Sequence, residues 1–141
     1  MSAINASDEV LLIADPTSPA LADAFKTKSV SLRLGKKPIG VVLNFVRHEK
    51  GEVEDVDVIR LLEVPIYGKV PEDLEVRRSF MQKKVQPNIL RAPNCKASIA
   101  MREIAYKLAG IKEEIQAAKE EKKGIFAAII NAIKNLFKKK Q

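Results

Sequence analysis

One cysteine, one histidine and no tryptophan occur among the 141 residues of this chain. With Cys95 alone no internal disulfide can form, and a reducing compartment suits such usage. The lone His48 sits in the polar turn RHEKG, with no cysteine or second histidine to complete a zinc site. The adjacent carboxylates Glu54–Asp55 and Glu72–Asp73 fall where helices are expected to start, and there they offset the helix dipole. No nucleophile–base pair can be assembled from the remaining residues. The opening MSAINASDEV has neither the basic start nor the sustained apolar core of a secretory signal. No run reaches the roughly 20 mostly apolar residues that a bilayer-spanning helix needs. No acid follows Glu121.

That last absence locates the charge. The net charge is +7, from 25 basic and 18 acidic residues. Residues 122–141 hold six lysines and no acid, so the remaining 121 residues carry 19 basic and 18 acidic groups. The body is near neutral, which speaks against a broad nucleic-acid-binding face. The basic excess belongs to the C-terminal stretch KKGIFAAIINAIKNLFKKKQ. Wound as a helix at about 100° per residue, it gathers Ile125, Phe126, Ile129, Ile130, Ile133, Leu136 and Phe137 in an arc of about 140°. Asn131, Lys134, Asn135 and Lys138 fall opposite, and Gly124 breaks the chain before it. Packing on the protein's own core is one use for such a face. The terminal position, the charged connector at 111–123 and the flanking lysines favour the other: a helix lying in an anionic lipid headgroup layer.

Ahead of the connector, residues 1–110 read as one α/β unit in which apolar runs alternate with helical patterns. The runs EVLLIA (9–14), IGVVLNFV (39–46) and PIYGKV (65–70) predict buried strands. Thr17 or Ser18 caps a helix that turns Leu21, Ala24, Phe25 and Leu32 inward and closes at Gly35. A short helix carries Val56, Ile59 and Leu62 inward. Pro71 and two acids open the next helix. The segment VQPNILRAPN is expected to be extended. Asn94 caps a last helix with the stripe Ala97, Met101, Ile104, Ala105 and Leu108, ended by Gly110. Strand–helix alternation implies a parallel sheet. Three parallel strands make a poor independent domain, because such sheets want both faces and edges covered. The unit reads as half of something larger.

Four stretches carry a family resemblance. SDEVLLIADPTSPALADA, GVVLNFV, LLEVPIYGKVPEDLEVRRSF and EEKKGIFAAIINAIKNLF follow in the order of MinD-type ATPases of the ParA/MinD class. The chain resembles the C-terminal half of such a protein, from Ala6 onward. The resemblance implies half of a P-loop NTPase-like, Rossmann-like parallel sheet followed by a membrane-targeting helix. It also implies binding of ATP or ADP and a homodimer, or a dimer with a MinD-like ATPase. Attachment to an anionic membrane from the cytoplasmic side and a part in positioning division or partition machinery complete what it implies. The family's adenine pocket maps onto Asn44 and onto Val70, Pro71, Glu72 and Asp73. An asparagine amide offers the adenine edge both a donor and an acceptor. Asn44 tying down its own turn, and Pro71-Glu72-Asp73 as an ordinary helix start, stay open beside that reading. Asp23 occupies a position that faces partner proteins in the family, or is a solvated helix acid.

Two departures qualify the resemblance. Phe45 stands where the family has Arg or Lys after the asparagine. No G-x-x-x-x-G-K-[ST] occurs, and LGKKP (34–38) has neither the glycine loop nor the hydroxyl residue that would hold phosphate and Mg²⁺. The chain alone is therefore expected to hydrolyse no ATP. A non-enzymatic adaptor that docks on full-length MinD/ParA-like ATPases is the alternative reading.

Overall fold

The structure, a computed structural model, describes residues 2–82 and 86–110. The connector and the C-terminal amphipathic segment lie outside the described residues. Residues through Ile104 form one compact unit, and a second runs from Ala105 to the end.

The elements follow in the order α1 (Ser2–Ala6), β1 (Val10–Ala14), α2 (Ser18–Arg33), β2 (Pro38–Val46) and α3 (Asp55–Leu62). After them come β3 (Ile66–Pro71), α4 (Leu74–Phe80), α5 (Asn88–Arg91) and α6 (Lys96–Leu108). The three strands are parallel in the order β1-β2-β3. All three are the apolar runs legible in the sequence. The central β2 is buried on both faces, with Val41, Val42 and Leu43 all inside, as a strand between two helical layers must be.

The two faces are unequal. On one, α2 and α3 seal Leu12, Ala14, Val41 and Leu43 beneath Leu21, Ala24, Val58 and Leu62. On the other, Val42, Val70 and Ala97 form a smaller core with Tyr67, Cys95 and Ile104 packed against it. Gly68 lets α6 approach β3 there, since any Cβ at that position would run into the Ile104 side chain. Ile13, on β1, is 68% exposed.

Several inward-facing assignments are corrected. On α2 the buried stripe is Leu21, Ala24, Lys28 and Ser31, while Phe25 and Leu32 are exposed. The Lys28 stem lies inside, and its ammonium emerges to meet Glu63 Oε2 at 2.6 Å. A long aliphatic stem with an acceptor at its tip fills a core position as an apolar residue would. The eight-residue α3 buries Val58 and Leu62, one turn apart, and leaves Val56 and Ile59 exposed. Pro71 ends β3 and does not open α4: Asp73 is the N-cap, its carboxylate accepting from the Glu75 N–H at 2.9 Å. A residue with no N–H is tolerated at a strand end. The segment expected to be extended contains the single turn α5, too short to show a period. Cys95 sits at the start of α6 in place of Asn94, its carbonyl accepting from the Ile99 N–H at 3.0 Å. Of the expected α6 stripe, Ala97 is buried and Ile104 packs on the sheet, whereas Met101, Ala105 and Leu108 are exposed.

Candidate functional site

Ligands of open α/β sheets bind beyond the carboxyl ends of the strands. In this chain those ends are Asp15–Thr17 after β1, Asn44–Arg47 at the end of β2, and Val70–Asp73 at the end of β3. The first observation there is a break in register. Leu43 pairs with Lys69 and Val46 with Pro71, so three steps on β2 face two on β3. That is a bulge of one extra residue. Phe45 supplies the kink with φ +56°, and the bulge resets the alternation of faces. Val46 thereby rejoins the core that holds Val41 and Leu43.

Asn44 immediately precedes the kink. It is half-buried, and its amide makes no hydrogen bond to any other described residue. Val70 is buried, Pro71 and Asp73 are half-buried and Glu72 is exposed. Pairing of β2 with β3 sets the two stretches side by side, Leu43 opposite Lys69 and Val46 opposite Pro71, and the Glu72 N–H donates to the Val46 carbonyl at 3.0 Å. The Asp73 carboxylate is already engaged. Besides the Glu75 N–H it accepts from the Ala97 N–H at 3.3 Å, so it caps α4 and reaches the first turn of α6. The Glu75 bond is the chief cause of a carboxyl pKa held below the ordinary Asp value, which burial opposes.

Sequence reasoning missed Arg47. Its guanidinium grips Glu72 in a fork, Nε to Oε2 at 2.7 Å and a terminal nitrogen to Oε1 at 3.1 Å. The hydrogen bond to Glu72, then its charge, raises the Arg47 pKa above its ordinary value. A two-pronged Arg–carboxylate pair fixes orientation as well as distance. The Glu52 carboxylate in turn accepts from the Arg47 N–H at 2.6 Å and the His48 N–H at 3.1 Å. The Val53 N–H donates to the Pro16 carbonyl at 2.9 Å. All three strand-end loops are thus cross-tied. Between the first two opens a groove of about 430 Å³, lined by Asp15, Thr17, Phe45, Arg47 and Lys50 among others. Partners separated by 25 residues, as Arg47 and Glu72 are, leave no local sequence signal.

Asp23 lies away from this rim on the exposed side of α2, where its carboxylate meets Lys26 at 3.0 Å. The candidate membrane residues Ile125 to Lys138 lie outside the described residues.

Comparison with known proteins agrees with this fold. No family model matches the chain. An uncharacterised ATP-binding protein of Methanocaldococcus jannaschii is 34% identical over 135 residues, which are 96% of this chain and 49% of the relative. The structure of the cell division ATPase MinD of Pyrococcus furiosus superposes with a TM-score of 0.69 at 25% identity, over 79% of this chain and 46% of that one. The septum site-determining protein MinD of Pyrococcus horikoshii, solved with Mg-ADP, gives 0.65 at 25% identity over 75% and 44%. The homologues of this chain are MinD/ParA-type ATPases, and it spans about half the length of those it matches.

Proposed function

We propose that this chain is the adenine-side, membrane-attaching portion of a MinD-like ATPase that acts in the spatial regulation of cell division or partitioning. The observation that carries the adenine assignment is Asn44: a half-buried amide at the carboxyl end of the central strand, next to the Val70–Asp73 strap, with no partner among the described residues. An amide with both its donor and its acceptor uncommitted is available to a ligand, and the purine edge offers a matching donor and acceptor. Backbone groups of the strap complete the contact. Its acids do not, since Glu72 is held by Arg47 and Asp73 caps helices. Two of the similar proteins, the ATP-binding protein and the Mg-ADP complex, support the ligand class.

The residues present fit the base and not the whole nucleotide. No glycine-rich phosphate loop and no hydroxyl residue for Mg²⁺ occur in this sequence. When bound, ATP supplies the transferable phosphoryl group. The residues of this chain orient the base and, in the proposed dimer, carry the complex to the membrane through the segment 124–141. The absence of the phosphate loop from the sequence favours, as a second reading, a non-enzymatic adaptor that docks on a full-length MinD/ParA-like ATPase.

ADP titration of the chain, alone and with a full-length homologue, tests the proposal. Binding that Asn44→Ala weakens about 10-fold or more is expected, from the loss of roughly 1.5 kcal/mol of hydrogen bonding. Affinity unchanged by Asn44→Ala would remove the adenine assignment. An effect of the chain on the homologue's ATPase without ADP binding of its own would favour the adaptor.

A further inference from the structure

Helix α4 is inside out. Its buried residue is the polar Ser79, whose hydroxyl donates to the Val76 carbonyl at 2.6 Å. At about 100° per residue, Leu74, Arg77, Phe80 and the C-cap Met81 share an arc of about 120° on the far side. All four are exposed, Phe80 by 75%. The single turn α5 buries no residue and leaves Leu90 75% exposed. Arg91 ties α5 to α4, a terminal nitrogen meeting Glu75 Oε2 at 2.8 Å. Surface apolar residues scattered singly need no explanation, but several on joined helices, rimmed by charge, mark an interaction site.

The charge identifies what docks there. Residues 74–102 hold seven basic residues and one acid, Glu75, whereas residues 1–73 hold nine basic residues and twelve acids. The near-neutral body is thus basic around α4 and α5. Glu75 is enclosed by Arg78 and Arg91, and Arg77 is exposed among the apolar side chains. Lys96 is exposed at the start of α6, which the Asp73 carboxylate links to the start of α4 through the Ala97 N–H.

We propose that the outer face of α4 and α5 is a second contact with an anionic lipid surface, engaged alongside segment 124–141. It rests on the membrane reading of that segment. Large apolar side chains bracketed by cations enter the boundary between headgroups and acyl chains, while the cations stay with the phosphates. Nucleic acid would also meet the cations, and a base could stack on Phe80, but it offers nothing to the aliphatic Leu74, Met81 and Leu90. The face is too small to hold the chain by itself. On a chain already attached, a second weak contact gains through effective concentration.

The chain contains no tryptophan, so Phe80→Trp gives the full chain a single emitter on this face. Phe25→Trp places one on α2, whose core lies on the other side of the sheet from the one Val76 joins. With liposomes of phosphatidylglycerol and bromine-labelled phosphatidylcholine, quenching of the Phe80→Trp emitter and not of the Phe25→Trp emitter is expected. In flotation with the same lipids, Phe80→Ser and Leu90→Ser should each weaken recruitment by about 3- to 10-fold. Arg77→Glu should weaken it by about 10-fold at low salt and less at high salt. Thermal unfolding of Phe80→Ser should match the wild type, since the ring is exposed. An unquenched Phe80→Trp emitter, while Phe126→Glu still abolishes recruitment, overturns the second contact and leaves the segment standing. Recruitment lost in Phe80→Ser but untouched by Phe126→Glu supports the face and overturns the segment. Binding of duplex DNA that Arg77→Glu weakens, or self-association that Phe80→Ser removes, overturns the lipid contact when no quenching accompanies it. No recruitment of the wild type overturns face and segment together.

Discussion

Asp73 shows how much one side chain holds at the strand ends. Its two oxygens accept from Glu75 and from Ala97, at the starts of two helices. Losing an N-cap acid costs about 0.5–2 kcal/mol, so Asp73→Ala should lower stability to urea by about 1–2 kcal/mol. The folded-state pKa lies below the ordinary value, chiefly through the Glu75 bond. Its contribution is therefore complete above the unfolded pKa, near 4, and is lost as pH falls through the folded value. Glu75, lowered by Arg78 first and then Arg91, titrates in the same sense. The urea midpoint should fall on acidification below about pH 4, and Asp73→Asn should make that fall shallower. An identical pH profile in Asp73→Asn would assign the effect to other carboxylates. The first of Asp73's bonds has a local signal, because an acid immediately before an apolar helix start marks a cap, although Pro71 draws the expected helix start too early. The second has none, because Ala97 is 24 residues away and only the fold makes them neighbours.

Among the elements, what could be read was what local pattern controls. The three strands declared themselves through Val, Ile and Leu runs, and α2 and α6 through their length. Which face each helix buries was harder. On α2, apolarity nominated Phe25 and Leu32, and the sheet took Lys28 and Ser31. A lysine can do this because its stem is hydrocarbon and Glu63 waits at the far end, and Ser31 can because its hydroxyl donates to the Lys36 carbonyl. The bulge in β2 was invisible because register is a property of two strands, not of one. Packing of α6 on β3 depends on the missing side chain of Gly68. Gly68→Ala should destabilise by about 1–3 kcal/mol, the usual cost of overpacking, through its clash with Ile104. Ile104→Ala should restore part of that loss in the double variant. Additive losses from the two substitutions would show that the clash is relieved elsewhere.

At the scale of the whole molecule two expectations follow, one from a surface and one from a sequence segment. The surface is β1, an apolar strand at the end of the described sheet, with Ile13 open to solvent. Unpaired apolar edges recruit other strands, so the purified chain should associate as concentration rises. Sedimentation equilibrium showing a monomer throughout the micromolar range would count against this. The other expectation rests on the proposed membrane segment, residues 124–141, read from the sequence. Full burial of a large apolar side chain is worth about 1.5–3 kcal/mol, but insertion into a headgroup layer is shallow and the helix must be ordered. One segment should bind reversibly, helped by about 1 kcal/mol per lysine near an anionic surface. Two on a dimer gain through effective concentration, by roughly 10²–10⁴. Liposomes with anionic lipid should recruit the chain, less so in high salt, and Phe126→Glu or Ile129→Glu should abolish recruitment. If removal of residues 122–141 leaves liposome binding intact, or unfolds the rest, the segment is a packing element instead.

The cross-ties at the strand ends have a thermodynamic consequence for whatever docks there. The amides of Arg47, His48, Val53 and Glu72 are all internally bonded before any ligand arrives. Because these bonds link neighbouring loops, the amide protons of the rim should exchange at similar rates. A ligand that docks there orders little that is not already ordered. Little conformational entropy is lost on binding, and amide exchange at these four positions should barely change between free and saturated protein.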